Sequence, residues 1–218
     1  MKFKSSKSAS STSQQESARP AARSNIWDDI QLLNGEHSTL VDKRAVQMLA
    51  PYLPAHAQGW NWHMRYSTKR DGTSSHSMHR AASKYPGPSL CFIRDKANTV
   101  FGCFATHTWS LESSQHGAFY GTGECLLFKY SPKFAVYDWT QSSINNHFQS
   151  GQLPHDAFIM GAGDGKFGLW VDETLTKGTS VRCPTFDNEP LAATEAFEIL
   201  DLELWVLDVP QGEARFRD

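Results

Sequence analysis

Between Trp60 and Asp208 the sequence is a succession of short apolar segments separated by turn signals. In the first segment large apolar residues alternate with polar ones, as in a strand with one buried face: Trp60, Trp62, Met64 and Tyr66. After Pro86, three pairs of apolar segments flank short turns at 96–98, 131–133 and 164–165. Because strands joined by such turns pair antiparallel, the sequence predicts at least seven strands arranged as successive hairpins.

The last apolar segment, 196–208, alternates strictly from Leu200 to Val206, and Trp205 and Leu207 fall on the opposite face. This pattern predicts a strand that is covered on both sides. Helical spacing is confined to the first part of the chain. It predicts a helix over 26–33, a second helix that follows an N-cap at Ser38 or Thr39, and a third helix over 75–84. Strands and helices do not alternate as a parallel α/β fold requires. The predicted fold is therefore α+β, with two antiparallel β-sheets packed as a sandwich and peripheral helices.

The length and composition favour a single domain. The chain has 218 residues, of which 39% are apolar, enough to bury one substantial core. Residues 1–25 are rich in Ser and hold five Lys or Arg against one Glu. We expect a disordered basic arm over 1–25, one domain over 26–209 and a short tail over 210–218. The arm also has the composition of a mitochondrial transit peptide, and a mitochondrial location stays open.

Charge and hydropathy exclude several classes of partner. The net charge of −2 gives no field that would attract nucleic acid or an anionic membrane. Since the chain has neither a long apolar run nor the apolar core of a secretory signal, we expect no membrane insertion and a cytoplasmic location. The four cysteines form no close pair, which favours free thiols over a zinc site.

One glycine motif suggests a nucleotide site. Residues 163–168 form the pattern G-x-G-x-x-G, with Lys166 directly after Gly165. A dinucleotide fingerprint must open a helix, whereas Leu-Trp-Val-Asp after Gly168 is a strand pattern. A phosphate-binding loop needs Ser or Thr after its lysine, and Phe167 stands there. The motif instead predicts a tight hairpin turn at Asp164-Gly165.

Glycines are dense on both sides of this turn, at Gly161, Gly163 and Gly165, and again at Gly121 and Gly123. Glycine weakens a strand unless the backbone bulges or another group comes close. β-bulges and tight packing against large aromatic residues are one interpretation, and this is the favoured one. A surface on which another protein backbone docks is the other.

Five ordered motifs resemble the TLDc domain, the module shared by oxidation-resistance proteins and their relatives: "YGTGECLLF", "VYDW", "IMGAGDGKFGLWVD", "LTKGTSVRCPTFDNEPL" and "FEILDLELWVLD". The agreement runs from about Thr39 to Asp208. The resemblance implies a sandwich of antiparallel sheets flanked by helices. It brings no established catalytic chemistry and no cofactor.

The resemblance also implies a role in oxidative stress resistance and, for several family members, direct binding to the cytosolic V1 sector of the vacuolar proton ATPase. We expect such a protein to be a monomer that lies at the vacuole or lysosome membrane through the pump. The family signature marks seven positions as candidates for partner binding: Gly121, Gly123, Glu124, Gly161, Gly163, Asp164 and Gly165. The chain has the length of a stand-alone short form, and the ten residues after Asp208 are too few for a stable docking helix.

Other polar residues have weaker signals. His76 and His79 lie three apart on a predicted helix, but without a nearby third ligand they are expected to be exposed polar residues and not a metal site. Turn stabilisation is the expected role of several carboxylates near strand ends, although some could converge as an acid and base pair: Glu124, Asp164, Asp172 and Glu189. Glu203 lies in the strand predicted to be buried, and it needs a partner. That partner should be an Arg, with Arg65 and Arg94 as candidates, or a set of backbone amides.

Cysteine chemistry supports a rival hypothesis, a thiol- or carboxylate-based enzyme or peroxide scavenger. Cys91 and Cys103 lie inside apolar strands and should be inert. Cys183 follows Arg182 in a predicted loop, a setting that would expose the thiol and lower its pKa. The thiol of Cys125 follows Glu124, whose charge should raise its pKa. A third hypothesis is a general interaction scaffold for other partners.

Overall fold

The computed structural model describes residues 26–109, 119–151 and 157–208. The predictions for residues 1–25 and for the tail after Asp208 lie outside these ranges. The chain forms eleven strands within them: β1 (Leu32–Leu33), β2 (Asn61–Ser67), β3 (Ser89–Asp95), β4 (Val100–Ala105), β5 (Leu126–Ser131), β6 (Ala135–Asp138), β7 (Gln149–Ser150), β8 (Phe158–Gly163), β9 (Lys166–Val171), β10 (Lys177–Thr179) and β11 (Ala196–Asp208). The helices are α1 (Lys43–Leu49), α2 (Thr68–Asp71) and α3 (Ser75–Ser83), and a 3-10 turn covers Ala50–Tyr52.

The long strand β11 connects two sheets. Its first residues pair antiparallel with β10, and from Ile199 onward it pairs antiparallel with β3 and then with β2. The first sheet therefore has the order β6-β5-β4-β3-β11-β2-β1, and the second has the order β11-β10-β9-β8-β7. All described strand pairs are antiparallel except that of β1 with β2. The predicted α+β sandwich is confirmed.

Two cores lie on the two faces of the first sheet. The core between the sheets joins side chains such as Cys103 and Leu127 from the first sheet to Met160 and Leu169 from the second. The other core lies beneath α1 and holds Trp62, Phe92 and Trp205. β11 contributes to both, Leu202 and Leu204 to the inter-sheet core and Trp205 and Leu207 to the other. The prediction that this strand is covered on both sides is confirmed, although Leu200 at its start is exposed.

The predicted N-terminal helices differ from the structure in two places. Residues 26–33 form turns and β1 instead of a helix, because the backbone oxygen of Gln31 accepts from the Trp62 amide and ties this segment to β2. A helix of two turns has little stability by itself, so this pairing decides the local structure. The helix after it begins at Lys43 and is capped by Asp42, whose Oδ1 accepts from the Ala45 amide at 2.8 Å. Ser38 and Thr39 were therefore the wrong N-cap candidates.

The predicted helix over 75–84 is confirmed as α3, with Ser74 as its N-cap. The turn at Asp164-Gly165 joins β8 to β9, and both residues have positive φ values, 53° and 71°, as a tight hairpin requires. No helix among the described residues is long and apolar enough to cross a membrane.

Candidate functional site

The glycines around the 164–165 turn pack closely against a loop that contains Cys183, Pro184 and Phe186. A Cβ atom at Gly161 would lie 2.5 Å from the Phe186 ring and 3.0 Å from Cys183 Sγ. At Gly163 it would lie 2.8 Å from Pro184. Both glycines also have a positive φ, so a larger residue would meet backbone strain as well as overlap. Gly165, at the hairpin tip, has nothing within 4 Å of its Cβ position.

The second glycine segment packs against aromatic residues of another loop. A Cβ atom at Gly123 would overlap the indole ring of Trp139, with Cζ3 only 2.7 Å away. At Gly121 it would lie 3.3 Å from Cβ of Phe148. The Trp139 ring packs edge-on against Phe148, with centroids 5.4 Å apart, and its Nε1 donates to the backbone oxygen of Asn145 at 2.9 Å. Tight packing against aromatics, the interpretation favoured from the sequence, accounts for these glycines.

A buried hydrogen-bond network joins the loop around residues 139–148, which packs on the 121–124 segment, to the 161–165 segment. Asn145 Nδ2 donates to the backbone oxygen of Ala162 at 2.9 Å, and Thr185 Oγ1 donates to Asn145 Oδ1 at 2.8 Å. The Ala162 amide in turn donates to Thr185 Oγ1 at 3.1 Å. The Gly161 amide donates to the Phe148 backbone oxygen at 2.6 Å. Because these groups are buried and satisfied, the loop around residues 139–148 is held against both glycine segments.

We call this region the glycine surface and define it as residues 121–124, 138–145 and 161–165 together with Pro184. Of the seven signature positions predicted for partner binding, six are exposed or half-buried in this region, and Gly161 is buried. Ile144, in its 138–145 segment, is 91% exposed, although it carries a large apolar side chain. Asn145, next to it, is buried in the network, so the backbone that presents Ile144 is fixed. The surface thus offers an apolar side chain on a rigid support.

A groove with a volume of about 720 Å³ runs along one side of the glycine surface. Trp139, Tyr52 and Pro54 line it together with the carboxylates of Glu124 and Asp138. Neither carboxylate forms an ion pair with any residue in the described ranges. No Lys or Arg lines this groove. The groove is therefore acidic, and Tyr52 and Trp139 supply aromatic rings to its lining.

The other candidate carboxylates do not converge. Asp172 accepts hydrogen bonds from Thr174 Oγ1 and from the amides of Thr176 and Lys177, which is the turn-stabilising role expected for it. Glu189 is paired with Lys129 at 3.1 Å. In the described ranges no hydrogen bond or ion pair links any of the five candidate carboxylates to another, and no group of His, Cys, Asp or Glu there could hold a metal ion.

Glu203 is buried as predicted, and a backbone amide meets it as one predicted alternative had it, whereas the arginine candidates Arg65 and Arg94 are wrong. Its carboxylate accepts from Ser38 Oγ at 2.8 Å, from the Thr39 amide at 2.8 Å and from Trp205 Nε1 at 3.1 Å. Arg94 pairs instead with Asp201. Ser38 and Thr39, which were expected to cap a helix, therefore bind the buried carboxylate of Glu203 on β11. Hydrogen bonds rather than a cation satisfy this carboxylate.

The expectation of an exposed, acidified thiol at Cys183 is wrong. Cys183 is only 1% exposed, and burial raises the pKa of its thiol. Arg182 points away into a pair with Asp187, so it does not acidify the neighbouring thiol. Burial is the main cause that raises the pKa of Cys125, and the charge of Glu124 adds to it in the predicted direction. Cys91 and Cys103 are buried in the core as predicted.

The predicted helix histidines divide between two environments. His76 is exposed, as expected, whereas His79 is buried, because α3 turns it toward the protein interior. The sequence analysis missed the residues that organise the site, above all Asn145, Thr185 and Gln149. Gln149 Nε2 donates to the backbone oxygen of His107 at 3.0 Å. These are ordinary polar residues in loops and a short strand, and no periodic pattern marks them.

The fold and the glycine signature are those of a known family. The family model of the TLDc domain matches residues 34–208, and the chain belongs to this family. The resemblance inferred from the five motifs is confirmed.

The relatives it matches are much longer proteins. Nuclear receptor coactivator 7 of Homo sapiens is 40% identical over 172 residues, which cover 79% of this chain and 17% of that protein. Oxidation resistance protein 1 is 34% identical in Rattus norvegicus over 75% of this chain and 18% of that protein, and 34% identical in Bos taurus over 80% and 19%. The chain thus spans less than a fifth of the length of these relatives and is a TLDc protein of the oxidation-resistance type.

Proposed function

We propose that this TLDc protein is a non-enzymatic docking module that binds the cytosolic V1 sector of the vacuolar proton ATPase through its glycine surface. Binding regulates the assembly or activity of the pump at the vacuole or lysosome membrane. Oxidative stress resistance then follows indirectly, through the pump. Membership of the TLDc family supports this proposal, and so does the structure of the glycine surface.

The observation that carries the proposal is the exposure of Ile144 on a rigid support. Interfaces gain most from apolar residues at their centre that need little ordering on binding. The Asn145 and Thr185 network orders the Ile144 backbone in the free protein. The acidic groove next to it adds Trp139, a residue type enriched at interfaces.

Charge supplies a preference for one kind of partner segment. Glu124 and Asp138 flank the groove without a counter-charge among its lining residues. A basic segment of V1 that lies along the groove would pair with these carboxylates and place a cation near the Trp139 ring. Association should therefore weaken as the salt concentration rises.

Co-purification with isolated V1 tests the proposal. The Ile144→Asp variant should reduce the affinity about tenfold or more, because it places a charge at the centre of the apolar contact. Leu200→Asp is the matched control, since Leu200 is also an exposed large apolar residue, at 54%, but lies on β11 outside the glycine surface. ATP hydrolysis and V1 release from vacuolar membranes should follow the binding.

The outcomes test the partner and the docking surface separately. No binding of the unaltered protein to V1 at micromolar concentration would reject the pump as partner. Equal binding by Ile144→Asp and Leu200→Asp would reject the glycine surface as the docking site while the pump remains the partner.

A further inference from the structure

Another cavity lies between β2, α2 and the end of α3. Its volume is about 330 Å³, and charged and aromatic residues line it, among them Arg65, Arg70, Asp71, Lys84 and Tyr85. We call it the Arg65 pocket. It shares no residue with the glycine surface.

Arg65 is a buried cation with little compensation. Its side chain is only 10% exposed and its guanidinium lies 3.2 Å from the centroid of the Tyr85 ring. No nitrogen of this guanidinium forms a hydrogen bond to any described residue, and its Nε is fully buried. The carboxylate paired with it belongs to Asp208, which is 3.9 Å from Nη2 and 58% exposed. Buried charges are normally paired and hydrogen-bonded at close range, and a guanidinium carries five donors.

The other cations of the pocket differ in how well they are paired. Arg70 is compensated, because it donates to Asp71 Oδ2 at 2.8 Å and to the Arg65 backbone oxygen at 3.0 Å. Lys84 is exposed and forms no ion pair with a described residue. The three cations of the lining thus face one carboxylate, that of Asp71, and it is already occupied by Arg70.

The neighbouring groups confirm the positive character of this region. His63 lies beside Tyr85, with ring centroids 6.5 Å apart. Burial, and then the charge of Arg65, lower the pKa of His63, so its ring is neutral near pH 7. Burial also lowers the pKa of Arg65, which reflects a cation without adequate solvation or pairing. The carboxylates near this region are those of Asp71, which Arg70 occupies, and of Asp208, which is 58% exposed.

We propose that the Arg65 pocket binds the phosphate group of a small phosphate monoester, held between Arg65 and Lys84. A guanidinium offers two parallel donors that match two oxygens of a phosphate. A monoester carries a charge of about −1.5 to −2 near pH 7, which compensates both Lys84 and Arg65, whose ion pair with Asp208 is long, at 3.9 Å, whereas a carboxylate compensates one cation. The cavity volume of about 330 Å³ accommodates the phosphate and a short polar group.

Titration of the full chain with inorganic phosphate and with glycerol 1-phosphate tests this site. Calorimetry gives the affinity, and the Nε–Hε resonance of Arg65 reports the location. Ionic strength is held constant with sodium chloride, and acetate serves as the singly charged comparison. We expect both phosphates to shift the Arg65 resonance in a saturable way. Acetate should bind at least about tenfold more weakly than the phosphates.

Four variants distinguish a specific site from general attraction. Lys84→Gln should weaken phosphate binding about threefold to tenfold, and Arg65→Gln about tenfold or more. Asp208→Asn removes the carboxylate that competes for Arg65 and should strengthen binding about threefold. Lys166→Gln is the matched control, since it removes an exposed cation from the β8–β9 hairpin, and it should leave the affinity unchanged.

The opposite signs expected for Lys84→Gln and Asp208→Asn keep the test valid if Arg65→Gln fails to fold. The proposal is overturned if neither phosphate shifts the Arg65 resonance, or if Lys84→Gln and Lys166→Gln change the affinity equally. It is also overturned if only a phosphorylated peptide or an anionic vesicle binds and the two small phosphates do not.

Discussion

The packing of Gly123 against Trp139 leads to a prediction for Gly123→Ala. Gly123 does not have a positive φ, so alanine meets no backbone strain there, and overlap with the indole ring is the only obstacle. Trp139 cannot move away freely, because its Nε1 donates to the Asn145 backbone oxygen at 2.9 Å and its ring packs on Phe148. The methyl group must therefore displace either the ring or the backbone of residues 121–124.

The magnitude follows from two opposing effects. Overpacking in a well-packed region costs about 1–3 kcal/mol. Alanine also restricts the unfolded chain, which returns about 0.4–1 kcal/mol. The difference between the two ranges is a net loss in the free energy of unfolding of about 0–2.6 kcal/mol, with a middle value of about 1.3 kcal/mol. For a domain of this size the middle value lowers Tm by about 3–5 °C.

Urea denaturation monitored by tryptophan fluorescence measures this change, and a double-mutant cycle with Trp139→Leu identifies its cause. In the Trp139→Leu background the cost of Gly123→Ala should fall by about 1 kcal/mol or more, because the ring is absent. Gly165→Ala is the control, since nothing lies within 4 Å of its Cβ position and only its φ of 71° opposes alanine; it should show no coupling to Trp139. An equal cost of Gly123→Ala in both backgrounds would refute the reasoning.

Three other predictions concern the buried polar groups. Because Cys183 is buried and its pKa is raised, neither a disulfide reagent nor peroxide should modify it in the native protein, and fast labelling without urea would revive the peroxide-scavenger hypothesis. Ser38→Ala removes one donor from the buried carboxylate of Glu203 and should lower the free energy of unfolding by about 1–3 kcal/mol, measured by urea denaturation; a loss similar to that of an exposed serine would contradict it. Tyr130 donates to Asp42 Oδ1 at 3.1 Å, and burial, with the charge of Asp42, raises its pKa to about 12. The pKa of tyrosine in the unfolded chain is about 10. The contribution of this phenol to stability is therefore complete below about pH 10 and is lost as the pH rises toward 12. The Tyr130→Phe variant should lack this fall, as denaturation at pH 9 and 11 would show.

Local rules worked where one segment decides its own structure. The alternation in 61–67 predicted β2, and Asp164-Gly165 predicted the turn between β8 and β9. Local rules failed for residues 26–33 because pairing with β2, about thirty residues further along the chain, outweighed a short helical pattern. They failed again for Ser38, since the group that binds it, Glu203, lies on the last strand.

The candidate site shows the same division. The sequence marked the two glycine segments, and both lie on the glycine surface, but it did not show what the glycines accommodate. Trp139 and Phe186, which occupy the space that side chains would take, approach from other parts of the chain. Whether the surface binds V1 is a question for the binding experiment.

The sequence by itself determined the longer strands and their hairpin turns, because these depend on periodicity or on signals between near neighbours, and the resemblance of five motifs indicated the family. Only the tertiary structure decided which groups satisfy Glu203, how deeply Cys183 is buried, and that Arg65 is enclosed with so little compensation. Burial and hydrogen bonding depend on groups brought together from distant positions. One-dimensional patterns contain no information on those approaches, so the environment of a polar side chain must be read from the fold.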